Sequence, residues 1–190
     1  MSHGGLTIFQ TLRRDHRNIR QLLDALQSEI DRISAGGKAD YNLLFMIMDY
    51  LINYPDLYHH AEETALFVLI QKHNELLAQA VDRILNEHKD AGMLSRRIAA
   101  AFHNMQHGTD VPIQHLQHMI HEYVARQKDH MAREETVYFP LLEHSLAPME
   151  WHEVSEQLAK IEDPLFGENV RQTYLARHAA IMRLMMSPGG

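Results

Sequence analysis

The stretch Phe9-Gln10-Thr11-Leu12-Arg13-Arg14-Asp15-His16-Arg17-Asn18-Ile19, continuing to Ile33, decides the fold. Its apolar residues Phe9, Leu12, Ile19, Leu23, Leu26, Ile30 and Ile33 recur at alternating steps of three and four, with one gap at position 16. That spacing is one face of an amphipathic helix. The residue in the gap is His16, which therefore sits where the helix turns toward a core. A core histidine needs a partner for each ring nitrogen, or a metal.

Working outward, Ser34 to Gly37 stops this helix, because Gly36 and Gly37 tolerate the positive φ of a helix end. A second helical stretch runs from about Tyr41 to Lys72, and Pro55 inside it predicts a kink or restart. A third runs from about Asn74 to Met105, closed by Gly108. Pro112 opens a fourth in its first turn, and that one continues to about His144. No strand pattern is evident. Long helices with short links make antiparallel neighbours, so the expectation is an all-α, up-down-up-down four-helix bundle over residues 1–147. Residues 148–190 form a helical extension, with segments Met149 to Ile161 and Glu168 to Met186 broken at Asp163-Pro164. Trp151, Leu158, Leu165, Phe166, Tyr174 and Leu184 should pack it on the outside of the bundle, and Ser187 to Gly190 should fray.

Composition narrows the function. The chain has no cysteine, which excludes disulfides, thiol nucleophiles and thiolate metal sites. A formal charge of −7 and the lack of a basic run speak against electrostatic capture of nucleic acid or an anionic membrane. No apolar run approaches membrane-spanning length, and Met1 to Arg14 does not read as a targeting segment, so the expected location is cytoplasmic. The 15 histidines are the unusual feature, and their positions decide what they mean.

They repeat. The third helix carries Leu77, Val81, Ile84, His88, Ala91, Ile98 and Phe102, again a stripe with a histidine in it. His16 and His88 are 72 residues apart, and each follows an acid, Asp15 and Glu87. The second helix holds His59-His60-Ala61-Glu62-Glu63 and the fourth His130-Met131-Ala132-Arg133-Glu134, so each carries His-x-x-x-Glu. The chain thus reads twice as a helix with one histidine followed by a helix with His-x-x-x-Glu, an internal duplication of a helical hairpin. Positions four apart on a helix point the same way, about one turn apart. Two hairpins about a pseudo-twofold axis would gather four imidazoles and two carboxylates, enough for two bridged ions. Within the second helix, His60 competes with His59, and Glu62 with Glu63. His60 reads as surface or as a neighbour of the ligands. His118/Glu122 and His152/Glu156 repeat the spacing outside the duplicated frame and read as solvated surface, as do His3, His73, His103, His107, His115, His121, His144 and His178.

These residues resemble the hemerythrin-like, HHE cation-binding domains over about Leu6 to Ser145. The resemblance rests on Asp15-His16, Tyr54-Pro55-Asp56-Leu57-Tyr58-His59-His60 with Glu63, Glu87-His88, and His130 to Glu134 followed by Phe139-Pro140. The tail stretch Asp163-Pro164-Leu165-Phe166-Gly167 also resembles bacterial members. The resemblance implies two non-haem iron ions, oxygen-bridged, ligated by His16, His59, Glu63, His88, His130 and Glu134, with manganese or zinc also admitted. Oxygen-carrying members have a fifth histidine where this chain has Gly92, and a His-x-x-x-x-Asp where it has His-x-x-x-Glu. The set of four histidines and two glutamates is similar to that of the bacterial repair-of-iron-centres proteins, which act in nitrosative and oxidative stress. Those carry a small cysteine-containing N-terminal domain, and this sequence has no cysteine.

The expected function is binding or reaction of a small ligand such as O2, NO or peroxide at the metal pair, in iron-centre repair or stress response. Iron or oxygen sensing, or iron sequestration without turnover, uses the same ligands. A metal-free helical interaction protein is a third reading. Tyr123, two turns before His130, reads either as a redox neighbour of the site or as a core aromatic. The amphipathic tail could form a homodimer or cap its own bundle.

Overall fold

The computed structural model describes residues 4–73, 75–161 and 168–186. All regular structure among them is helical. Helix α1 spans Gly4–Ser34 and ends at Gly36, whose φ of +92° fits the left-handed region. Asp40 caps α2, Tyr41–Tyr54, by accepting the Leu43 N–H at 3.0 Å. The rod continues through a π-helical turn, Pro55–His59, into α3, His60–His73. A short 3-10 turn, Glu75–Leu77, leads into α4, Ala78–Gln106. Pro112 stands just before α5, Ile113–Arg133, rather than within its first turn. A second π turn, Glu134–Tyr138, joins α5 to α6, Phe139–Glu143.

Both π turns sit at prolines. Pro55 has no N–H to offer the Leu51 carbonyl, and Pro140 has none for Thr136. Widening the turn keeps the rod continuous, with the His60 N–H closing on the Pro55 carbonyl and the Phe139 N–H on that of Glu134. Tyr123 donates a long hydrogen bond, 3.5 Å, to the Leu51 carbonyl. The structure therefore gives Tyr123 the role of a buried core aromatic beside that break.

Helices α1, α2–α3, α4 and α5–α6 form the antiparallel bundle. Its core is divided in two. One half contains Leu23, Leu26, Ile47, Leu51, Ile98 and Ile120, and the other Phe9, Leu12, Phe67, Val81, Ile84 and Phe139. In each of the four rods the chain passes from one half to the other across a short polar stretch. These stretches lie at the same level and contain His16, His59, Glu63, His88, His130 and Glu134.

The tail packs on the outside. In α7, Pro148–Ile161, Trp151 meets Phe9 edge-on at 5.9 Å and donates its indole N–H to the Glu143 carbonyl. In α8, Glu168–Met186, Tyr174 packs among Tyr50, Tyr54 and Tyr58, and Ile181 joins the same half of the core. Leu184 departs from the expectation. It is 53% exposed, because the buried stripe of α8 runs through Tyr174 and Ile181 and position 184 lies to one side of it. Leu165, Phe166, the side chain of Leu158 and the Ser187–Gly190 end lie outside what is described.

Candidate metal centre

The polar layer converges on one point. The Glu63 carboxylate is fully buried, with Oε1 3.5 Å from His16 Nε2 and 3.4 Å from His59 Nε2. Its other oxygen, Oε2, lies 3.4 Å from His88 Nε2. Glu134 does the converse. Its Oε2 lies 3.3 Å from His16 Nε2, and its Oε1 lies 3.6 Å from His88 Nε2 and 3.3 Å from His130 Nε2. His88 Nε2 and His130 Nε2 are 3.1 Å apart. All four imidazoles thus present Nε2 inward, and each carboxylate spans the gap between a His16 side and a His88 side.

These groups fit metal ions. Both oxygens of Glu63, both of Glu134 and Nε2 of His16 are buried without a hydrogen-bond partner. Leaving so many polar atoms unpaired in a protein interior is costly. Ligand atoms bound to one ion at about 2 Å stand about 3 Å apart, close to these spacings. His60, Glu63, His88 and His130 offer ligand atoms all within 4.8 Å of one another, and so do His16, His59 and Glu63.

Two of the outer nitrogens, those of His16 and His130, are held crosswise between helices. Glu135 lies 2.9 Å from His16 Nδ1 and also binds Arg20. Glu87 lies 2.8 Å from His130 Nδ1 and pairs with Arg133. Asp15, held by the Tyr54 hydroxyl at 2.8 Å, faces His59 Nδ1 at 3.9 Å. A carboxylate on Nδ1 fixes the tautomer that leaves Nε2 free to ligate. Asp15 stops short of hydrogen-bond distance to His59, whereas the acid before His88, Glu87, serves the histidine of the neighbouring helix. Its presence in the sequence was visible, but its target was not.

The six residues singled out from sequence lie together here. Glu62 turns outward to bind Arg171 at 2.7 Å, whereas Glu63 turns in. Of the two readings of His60, surface or neighbour of the ligands, its position supports the second. The residue is 7% exposed, with its ring stacked on His88. The physical reason is the π turn that ends at His59. A π turn holds more residues per turn than an α-helix, so consecutive side chains diverge less than the α-helical period assumes. His103, His107, His115, His118, His144 and His152 are exposed, as read from sequence. His121 pairs with Asp31 at 2.7 Å. His178 is half-buried against Tyr50 rather than on the surface, since α8 docks there. His3 and the side chain of His73 lie outside the described residues.

The model of the hemerythrin HHE cation-binding domain matches residues 7–142 of this chain. The chain belongs to the hemerythrin HHE family. No curated protein and no solved structure matches it. Membership makes this a cation-binding domain with histidine and glutamate ligands, and the matched span contains the whole polar layer. Among the described residues no helix is long and apolar enough to cross a membrane.

The electrostatics of the hemerythrin site follow from its burial. Burial alone would disfavour every charge, yet the carboxylates and imidazoles hold one another ionised. Burial works against His16, but Glu134, Glu135 and Glu63 overcome it and push its pKa well up. His88, desolvated but facing Glu134 and Glu63, is pushed up to about 9. Burial raises Glu63 and Glu134, yet the surrounding imidazoles hold Glu63 well below the carboxylate range and Glu134 down at about 2. His59 is pulled down to about 3 by desolvation and stays neutral. Without metal, His16 and His88 face Glu63 and Glu134 as imidazolium against carboxylate.

Proposed function

We propose that this chain holds two non-haem iron ions and binds a small ligand such as O2, NO or peroxide at them. His16 and His59 would hold one ion, His88 and His130 the other, with Glu63 and Glu134 bridging. The observation that carries this reading is the division of each carboxylate. One oxygen faces His16 while the other faces His88, in both Glu63 and Glu134. That division supports a pair of ions with the two carboxylates between them. Imidazole with carboxylate suits iron and also admits manganese and zinc. Bound there, such a pair supplies one-electron redox steps and an open coordination position. The protein's own residues orient the imidazoles and exclude water through the two apolar half-cores.

An open groove of about 660 Å³ between α3 and α4 reaches His60, His88 and Gly92. Gly92 follows His88 by one turn and brings no side chain to it. That favours the His88 ion as the one with room for a ligand. A cytoplasmic role in handling nitric oxide or peroxide, as in iron-centre repair, agrees with this ligand set. Iron sensing or sequestration uses the same site.

The test is metal content on protein produced with iron and purified without chelator. Wild type should carry close to two irons per chain, and His16→Ala, His88→Ala and Glu134→Ala should lose them. Exposure of the loaded protein to O2, NO and peroxide then separates binding from turnover. Wild type without iron, or iron indifferent to all three substitutions, would refute the reading.

A further inference from the structure

We propose that His60 is the residue that receives the small ligand at the His88 ion, donating a hydrogen bond to it from the groove wall, and that it is not a ligand of the ion itself. The inference rests on the metal-pair reading above and adds to it a named binding subsite for a small anion or a polarised diatomic.

Three observations carry it. First, the His60 ring is stacked on that of His88, with centroids 3.9 Å apart and planes 13° apart. An imidazole binds an ion with a lone pair in its own ring plane. Two rings stacked face to face lie in separate parallel planes, so one ion cannot lie in both. His88 Nε2 occupies the ligand position, close to Glu63, Glu134 and His130 Nε2. The His60 plane passes alongside. Second, His60 still offers a ring nitrogen within 4.8 Å of ligand atoms of Glu63, His88 and His130. That suits a hydrogen bond to something held beside the ion. Third, His60 and His88 line the same groove, together with Gly92 and the apolar side chains Ala65, Val68 and Leu85. The groove is open to solvent, and Lys89 and Arg96 add positive charge among its lining residues, which favours an anionic guest.

The experiment uses azide as the probe on iron-loaded full-length protein. His60→Phe keeps a flat ring for the stack and removes the N–H. Iron per chain should stay at the wild-type value, while azide affinity falls about tenfold or more, through faster dissociation. His60→Gln, which restores a donor, should recover part of the loss. Gly92→Leu, which places a side chain in the groove one turn from His88, should slow azide association. Loss of iron in His60→Phe would overturn the proposal by making His60 a ligand. Unchanged azide binding in His60→Phe would overturn it by making the ring a packing element only. Wild type that takes up no iron would overturn both this inference and the reading beneath it, whereas iron-replete variants with unaltered azide binding would overturn this inference alone.

Discussion

Metal affinity should rise steeply with pH between about pH 7 and about pH 8.5, because the ions must displace protons from buried imidazoles. In the metal-free protein His88 titrates at about 9, and His16 is also held well above its ordinary value. The same Nε2 atoms that face the carboxylates would have to give up a proton before ligating. At pH 7, two pH units below about 9, deprotonating His88 costs about 2.7 kcal/mol. Affinity for the His88 ion should therefore climb about tenfold per pH unit until the pH approaches 9, and His16 adds a dependence of the same sign at the other ion. Each ion bound should release about one proton. Manganese(II) is a suitable probe. Its free concentration can be followed by electron paramagnetic resonance, and proton release by an indicator dye in weak buffer. The metal-free fold should show the opposite slope. A group whose folded pKa is raised stabilises fully below its unfolded value and loses that contribution as pH rises through the folded one. For His88 the interval runs from 6.5 to about 9, so its contribution, about 3 kcal/mol, fades across it. A manganese affinity that is flat over this range, with no protons released, would refute the imidazolium–carboxylate pairing of the metal-free site.

Three further outcomes follow. Glu87→Gln weakens the carboxylate that holds His130 Nδ1 at 2.8 Å and should lower metal affinity by about 10- to 100-fold, measured by the same titration. Metal should raise thermal stability by linkage, about 2.7 kcal/mol when free metal stands at roughly 100 times its dissociation constant, and calorimetry with and without chelator would detect it. Trp151→Ala removes the buried indole that α7 lays against Phe9 and should destabilise the fold by about 3–5 kcal/mol in denaturant titrations.

The bundle was legible because helix periodicity is a local property. Apolar residues at steps of three and four bury one face whatever that face meets, and Gly36, Pro112 and Gly108 punctuate the helices close to where the sequence places them. His16 and His88 stood out for the same reason, as polar residues inside apolar stripes. The four-residue spacing in His59–Glu63 and His130–Glu134 likewise follows from one helix alone.

What sequence could not supply was everything that crosses between helices. That each carboxylate divides its oxygens between two hairpins depends on how four rods dock, and no residue spacing records it. Asp15 and Glu87 were visible beside core histidines, yet only packing aims them at His59 and His130. His60 read as surface or as a neighbour of the ligands, because an α-helical period turns it away from His59, and the π turn at Pro55, whose missing N–H widens the rod, brings it in against His88. The sequence by itself determined the helices and the chemical inventory of the polar layer, since both rest on interactions between chain neighbours. The tertiary structure alone decided which nitrogen meets which oxygen, because that is fixed by the docking of surfaces far apart in the chain.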